Sequence, residues 1–419
     1  MILDLNNLNR LVAGDAVAIR GRATLEPAGG AGDKIFPPTH ALDDKNKSPA
    51  AGAKYAFETR RICGADVTCV LIDSVQSQAN RMEAALEELW NQKRITLPVV
   101  RVDFGEIAPE VGCVTSLTAP HRIADALLRD SLLNDQLFRL TEIGKSFSDA
   151  STRNATALFR VCPTGLVFGL WDSTGPKGGL GAKFQRVLVS EIVGINATIG
   201  SRTSSRLDPM NISSKEVPKL YQAANADEMW TTNRDNAIKN KDGEPVEVGS
   251  DTKAGKPSAV LHGNIAPTID NIAGGVTIDE AQHTVVLSLA GLRRLGFAEA
   301  PVKARTVLAA LGLLAMLASE DCGHDLRSRC LLVPKQGNSL KLEAVGRHGD
   351  TTPLELTFEQ AIGLYQSALA ELPKTLQFAV GAGEAIADLV PSPKLVDLIR
   401  ISRSTQSKSG LVSGDDGVE

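Results

Sequence analysis

The sequence predicts an α+β fold enlarged by long polar insertions. Three observations lead there. Strand-like and helix-like segments alternate over the first 200 residues. One apolar run, residues 67–72 (VTCVLI), passes directly into a helix with an unbroken apolar stripe. Residues 198–258 then turn polar and poor in large aliphatic side chains.

The elements follow in chain order. Residues 16–25 (AVAIRGRATL) read as a strand with Arg20 and Arg22 on one face, because side chains two apart share a face. The strand runs into a glycine-rich loop, 27–34, and then Phe36-Pro37-Pro38, which cannot be helical. The polar stretch 41–54 reads as an insertion. After the strand 67–72, Val75, Ala79, Met82, Leu86 and Leu89 step by four and three, the signature of a helix with one buried face. A second helix is expected near Pro120, with Thr118 as its cap, Ile123, Leu127 and Leu128 buried, and His121, Arg122 and Arg129 exposed. An apolar segment at 162–170 leads into a glycine-rich run. Later come a strand at 284–289, a helix at 302–319, and a hairpin pairing 329–333 with 340–345 across Pro334-Lys335-Gln336-Gly337-Asn338. An amphipathic helix at 358–372 follows, and the Ser/Gly/Asp-rich residues 403–419 are expected to be disordered.

Composition excludes several classes. The chain has 419 residues, with 45 Lys and Arg against 49 Asp and Glu, a net charge of −4. Such a balance excludes indiscriminate coating of nucleic acid, which rests on neutralising many phosphates. Only 11 Phe, 3 Tyr and 3 Trp are present, too few for a surface built mainly of base-stacking rings. The total hides an asymmetry, however. Through Arg206 the cations number 24 against 22 acids, and the acidic surplus lies in the remainder. The start of the chain lacks signal-peptide character. The apolar run 307–318, between Arg305 and Glu320, falls short of the roughly 20 residues a membrane span needs, so it reads as a buried helix. The six cysteines form no CxxC pair and read as free thiols of a cytoplasmic protein.

Residues 171–186 (WDSTGPKGGLGAKFQR) are the most distinctive run. Glycines let backbone N–H groups approach an anion, and Lys177, Lys183 and Arg186 supply countercharge, so a phosphate-contacting loop is one reading and a tight turn the other. A P-loop is excluded, because Ala182 precedes Lys183 and Phe184 follows it, removing the required glycine and hydroxyl. No G-x-S-x-G elbow and no paired histidines appear. Cys322-Gly323-His324 beside Cys330 lacks a second ligand pair at a familiar spacing, so no metal, cofactor or catalytic residue is expected. Asp33, beside Lys34 in its loop, is the one carboxylate whose setting suits metal-dependent phosphodiester cleavage. A ribonuclease centred on Asp33, or a nucleotide hydrolase using the glycine loop, is therefore the alternative to a binding protein. Taken as a set, Arg20, Arg22, Lys34, Arg60, Arg61, Arg81, His121, Arg122, Lys177, Lys183 and Arg186 fit a groove tracking a sugar-phosphate backbone.

Four runs then point to a family: GDKIFPPT at 32–39, LIDSVQSQANR at 71–81, APHRIADA at 119–126, and WDSTGPKGGLGAKFQR at 171–186. In this order they resemble the backbone subunit of the type I-G (formerly I-U) CRISPR Cascade complex, a member of the RAMP superfamily. The resemblance covers about residues 8–200 with specific motifs. It implies a modified RRM-like (ferredoxin-like) palm at 1–200 that includes the insertion 41–54. The insertion 41–54 and a polar insertion at 201–258 are both candidates for thumb, finger or subunit-contact elements, and 259–402 would supply the rest of the core. It implies a non-catalytic protein that polymerises along CRISPR RNA and presents guide bases to target DNA, so sequence recognition passes to base pairing. Its partners would be CRISPR RNA, target DNA through the guide, further copies of itself, and the other Cascade subunits (a large subunit and an RNA-end-capping and processing subunit). A helicase-nuclease would be recruited to the complex, and no membrane is involved. Lys34, Gln78, Asn80, Arg81, His121, Arg122, Lys177, Lys183 and Arg186 are the RNA contacts it suggests, with Gly178 and Gly179 permitting close approach.

Overall fold

The computed structural model describes residues 1–41, 54–173, 181–213, 216–225 and 228–409. The chain divides into two units. One comprises Met1–Thr198 with Val276–Leu395, the other Ile199–Gly275 with Val396–Glu419.

The first unit is built on one antiparallel sheet. In chain order the elements that frame the site are β1 (Ala18–Pro27), β2 (Phe57–Ile62), β3 (Ala65–Asp73), α1 (Val75–Asn91), β4 (Leu170–Trp171), β5 (Lys183–Phe184), β6 (Leu188–Ile195), β7 (Glu280–Ser288), α2 (Pro301–Asp321), β8 (His324–Asp325), β9 (Leu331–Pro334), β10 (Lys341–Val345), β11 (Thr351–Leu354) and α3 (Phe358–Ala370), beside further helices and a second sheet of short strands. β4 and β5 form a separate ribbon; the rest of β1–β11 belong to the main sheet.

Across the centre of that sheet the order is β10-β1-β7-β6, every neighbour antiparallel. Thus β1 runs parallel to β6 and β7 parallel to β10, although neither pair is adjacent. α1 lies in the connection from β1 to β6, and α2 in that from β7 to β10. A βαββαβ chain with strand order 4-1-3-2 is the RRM-like, ferredoxin-like topology. The fold is therefore α+β, an RRM-like palm with insertions. β2 and β3 extend it beyond β6, and the second unit interrupts the turn between β6 and β7.

Alternation explains the sheet's two faces. On β1, Ile19, Ala23 and Leu25 are buried while Arg20 and Arg22 take the other side, as the spacing predicts. On β7, Ala281, His283, Val285 and Leu287 form the buried row. α1 begins at Ser74, whose hydroxyl accepts the Ser77 amide at 3.2 Å, and it buries Ala79, Met82, Leu86 and Leu89. α2 starts with Pro301 in its first turn and buries thirteen residues around its circumference. It is long and apolar enough to cross a membrane, but most of it is packed inside the protein. It is a core helix, consistent with the sequence.

Two expectations about elements are corrected. The hairpin between 329–333 and 340–345 does not form. β9 and β10 lie end to end along the same edge of β1, with Leu25↔Pro334 and Arg22↔Lys341 in register. Thr24 donates to Asn338 O and accepts from the Lys335 amide, so β1 itself captures the would-be turn. The hairpin partner of β10 is β11. The regular helix at Pro120 is also absent. A 3₁₀ turn, Arg122–Ala124, is followed by the short helix Ala126–Arg129. Asp125, not Thr118, supplies the cap: its carboxylate accepts from Leu127 at 2.9 Å and from His121 at 3.1 Å.

In the second unit, Arg202–Arg206 pairs antiparallel with Ile265–Asp270, and Tyr221–Gln222 with Trp230–Thr231. All of Ile265–Asp270 is at least partly exposed. The C-terminal helix Pro393–Ser409 continues through 403–409, a stretch whose composition suggested disorder.

Candidate nucleic-acid interface

The glycine-rich run springs from the ribbon of β4 and β5, where Trp171 faces Lys183 and the Asp172 amide donates to Ala182 O at 2.9 Å. Two glycines fix that base. Gly169 has φ +89°, a left-handed conformation that favours glycine, with Arg186 N only 3.2 Å from where a Cβ would sit. A Cβ on Gly181 would lie 2.2 Å from the backbone oxygen of Asp172. Asp172 is buried and paired with Arg139 at 2.5 Å, which ties the ribbon to the interior. Gly181→Ala is therefore expected to force the ribbon apart and cost about 1–3 kcal/mol. Chemical denaturation would register this, and an unchanged midpoint would show that the ribbon yields freely. Lys177, Gly178 and Gly179 lie outside the described residues.

A cleft of about 740 Å³ opens beside the ribbon. Its lining brings together His121, Arg122, Lys183 and Arg186 with Trp171 and Arg294, and among the described residues no lining side chain is acidic. Behind it, Arg122 makes a paired contact with Glu83, Nε to Oε1 and Nη2 to Oε2 both at 2.7 Å, and donates to Gly169 O at 3.0 Å. Arg186 Nε donates to Phe168 O at 2.9 Å. Burial, and then the neighbouring Arg122 charge, push the Arg186 guanidinium below its ordinary range. Burial pushes the Glu83 carboxyl up to about 7, against the opposing pull of Arg122. Two guanidinium groups thus share one buried carboxylate, leaving a positive surplus at the cleft that an anion would relieve. Lys183 lies over the Trp171 ring, 5.0 Å from its centre, and that ring is 55% exposed. An exposed indole beside cations suits a base stacked next to its phosphate.

The other expected contacts are placed differently. Arg22 lines a second cleft on the open side of the sheet, where Lys341 sits in register with it, whereas Arg20 on the same strand face does not line that cleft. Arg20 is neutralised by Glu343 at 2.6 Å. Lys34 and Asp33 belong to the loop after β1, the Asp33 carboxylate accepting the Lys34 amide at 2.9 Å, and Lys34 lines neither cleft. Asn80 is exposed on α1.

Of the contacts suggested by the family motifs, Gln78 and Arg122 are buried, and the partly exposed Arg81 is engaged by internal partners. Asp73, fully buried at the end of β3, accepts from Gln78 at 2.7 Å, Arg81 at 3.0 Å, Arg327 at 2.9 Å and the Ser77 hydroxyl at 2.8 Å. Gln78 is buried, its amide oxygen taking the Ser190 hydroxyl proton. Arg81 also donates to Leu326 O. Arg122, expected on the surface, is only 7% exposed. A buried carboxylate needs compensation, and Asp73 and Glu83 draw these side chains inward. Trp171 and Arg294 were missed. Trp171 heads the glycine run and could have been noted, whereas nothing local marks Arg294.

Comparison with known proteins completes the picture. No curated protein matches the chain. Among solved structures, one similar chain is that of Csc2 from Thermofilum pendens, with 10% identity, a TM-score of 0.27, and coverage of 99% of this chain and 95% of that one. Residues 19–199 match the model of a family described as CRISPR-associated protein GSU0053. That segment runs from β1 through β6 and contains the ribbon and most of the cleft's cations, so over that segment the chain is similar to a CRISPR-associated family.

Proposed function

We propose that this protein is a non-catalytic, CRISPR-RNA-binding backbone subunit of a type I Cascade complex, of the I-G subtype. The observation that carries the reading is the cleft where His121, Lys183, Arg186 and Arg294 converge beside Trp171 with no carboxylate among its described lining residues, all of these but Arg294 inside the segment matching the CRISPR-associated family. Its chemistry suits single-stranded RNA: cations for the backbone and one exposed ring for a base. The row of Arg22 and Lys341 would steer a neighbouring stretch of strand. Copies of the chain would line up on one guide in the cytoplasm, with the large and RNA-processing subunits at its ends. Target DNA would then be read by base pairing.

Reconstitution with CRISPR RNA tests this. Purified protein is expected to form RNA-dependent oligomers that protect the guide from nuclease in regular steps. Protein that stays free of RNA, and shows no affinity for guide even beside its partner subunits, would overturn it. Magnesium-dependent cleavage abolished by Asp33→Ala would instead establish the ribonuclease.

A further inference from the structure

We propose that His283, Glu320 and His324 bind a single first-row divalent cation, zinc by their ligand chemistry, inside the palm. The three residues come from separate elements: His283 from the buried row of β7, Glu320 from the last turn of α2, and His324 from β8. Their ligand atoms lie within 4.8 Å of one another. His283 Nδ1 stands 3.0 Å from Glu320 Oε1, and His324 Nε2 3.5 Å from Glu320 Oε2. Two ligands bound to tetrahedral zinc at about 2.0–2.1 Å sit about 3.4 Å apart, so both separations are already near that value. The imidazoles are 2% and 6% exposed and meet edge to face at 80°.

The hydrogen-bond chain behind His283 supplies the independent argument. Asp73 only accepts, so the Gln78 amide turns its NH₂ to Asp73 and its oxygen to Ser190. The Ser190 hydroxyl therefore donates to Gln78 and must accept at its 2.8 Å contact with His283 Nε2. That assignment places a proton on His283 Nε2; in the neutral imidazole Nδ1 then carries a lone pair, and it is a buried atom with no hydrogen-bond partner among the described residues. The lone pair faces a carboxylate oxygen. Two acceptors at that distance repel unless a cation lies between them. A metal ion satisfies both, and Ser190 holding the far nitrogen is the outer-shell partner that metal-bound histidines usually have. Cys322 is exposed, and the Cys330 thiol sits 3.7 Å from Arg327, so neither belongs to this group. The bound ion would clamp the end of α2 to the sheet.

Metal analysis of the full-length protein and cobalt titration of chelator-stripped protein provide the test. The expected result is one zinc per chain, cobalt uptake with the visible bands of a four-coordinate site, and a melting temperature several degrees higher with zinc. Glu320→Gln and His324→Gln are expected to lose the bound metal, while His262→Gln retains it. Wild-type protein that neither carries nor takes up metal would overturn the proposal. His283 would then be a doubly protonated imidazolium paired with Glu320, as nitrogen NMR would show.

Discussion

Replacing Arg122 with methionine is expected to destabilise the protein by about 3–5 kcal/mol, the usual cost of removing one partner of a buried ion pair. The substitution keeps much of the side chain's volume over Phe168, whose ring lies 5.6 Å from the guanidinium carbon. It leaves Glu83, 2% exposed, without its paired donor. Arg186 is close enough to Glu83 to compensate in part, which favours the lower end of that range. The double variant Arg122→Met with Glu83→Leu should cost far less than the two single changes added together, because no stranded charge remains. About 1 kcal/mol should persist from the lost donation to Gly169 O. Urea denaturation of the four proteins measures the coupling. Additive costs would mean that water reaches the pair and that Arg122 is available to ligand after all.

That cycle also shows where the sequence was readable. The stripe of α1 was plain, and Glu83 follows Met82 on the flank of that stripe. A carboxylate there needs a buried cation, and this could have been foreseen; its partner, 39 residues on, could not. The same holds for His283. Its place in an alternating apolar row was legible, and Glu320 with His324 has helical i, i+4 spacing, but the meeting of the two depends on sheet packing. The βαββαβ order was implied only by the family resemblance, since the second unit separates β6 from β7 by more than eighty residues. The hairpin at 334–338 failed for a tertiary reason. Its turn residues suit a hairpin, yet the ten-residue β1 has an edge long enough for both segments. Within the cleft, the cations of the glycine run were legible by type and spacing, whereas Arg294 came from about a hundred residues downstream.

Reversing Lys183 and Arg294 to glutamate is expected to lower guide-RNA affinity by about 10–100-fold without loss of stability. Both side chains are exposed, and among the described residues neither is paired with a carboxylate, so folding should tolerate the change. The salt dependence is more discriminating than the affinity. Each single-strand phosphate contact contributes about 0.7 to the slope of log affinity against log salt. The milder pair, Lys183→Ala with Arg294→Ala, should therefore reduce that slope by about 1.4, equally for guides of any sequence. Trp171→Ala should behave differently, costing about 1–3 kcal/mol of binding through lost stacking while leaving the slope unchanged. If the charge variants bind with unaltered slope, the strand does not run through this cleft. The open face of the sheet, with Arg22 and Lys341 in register, would then be the surface that holds it.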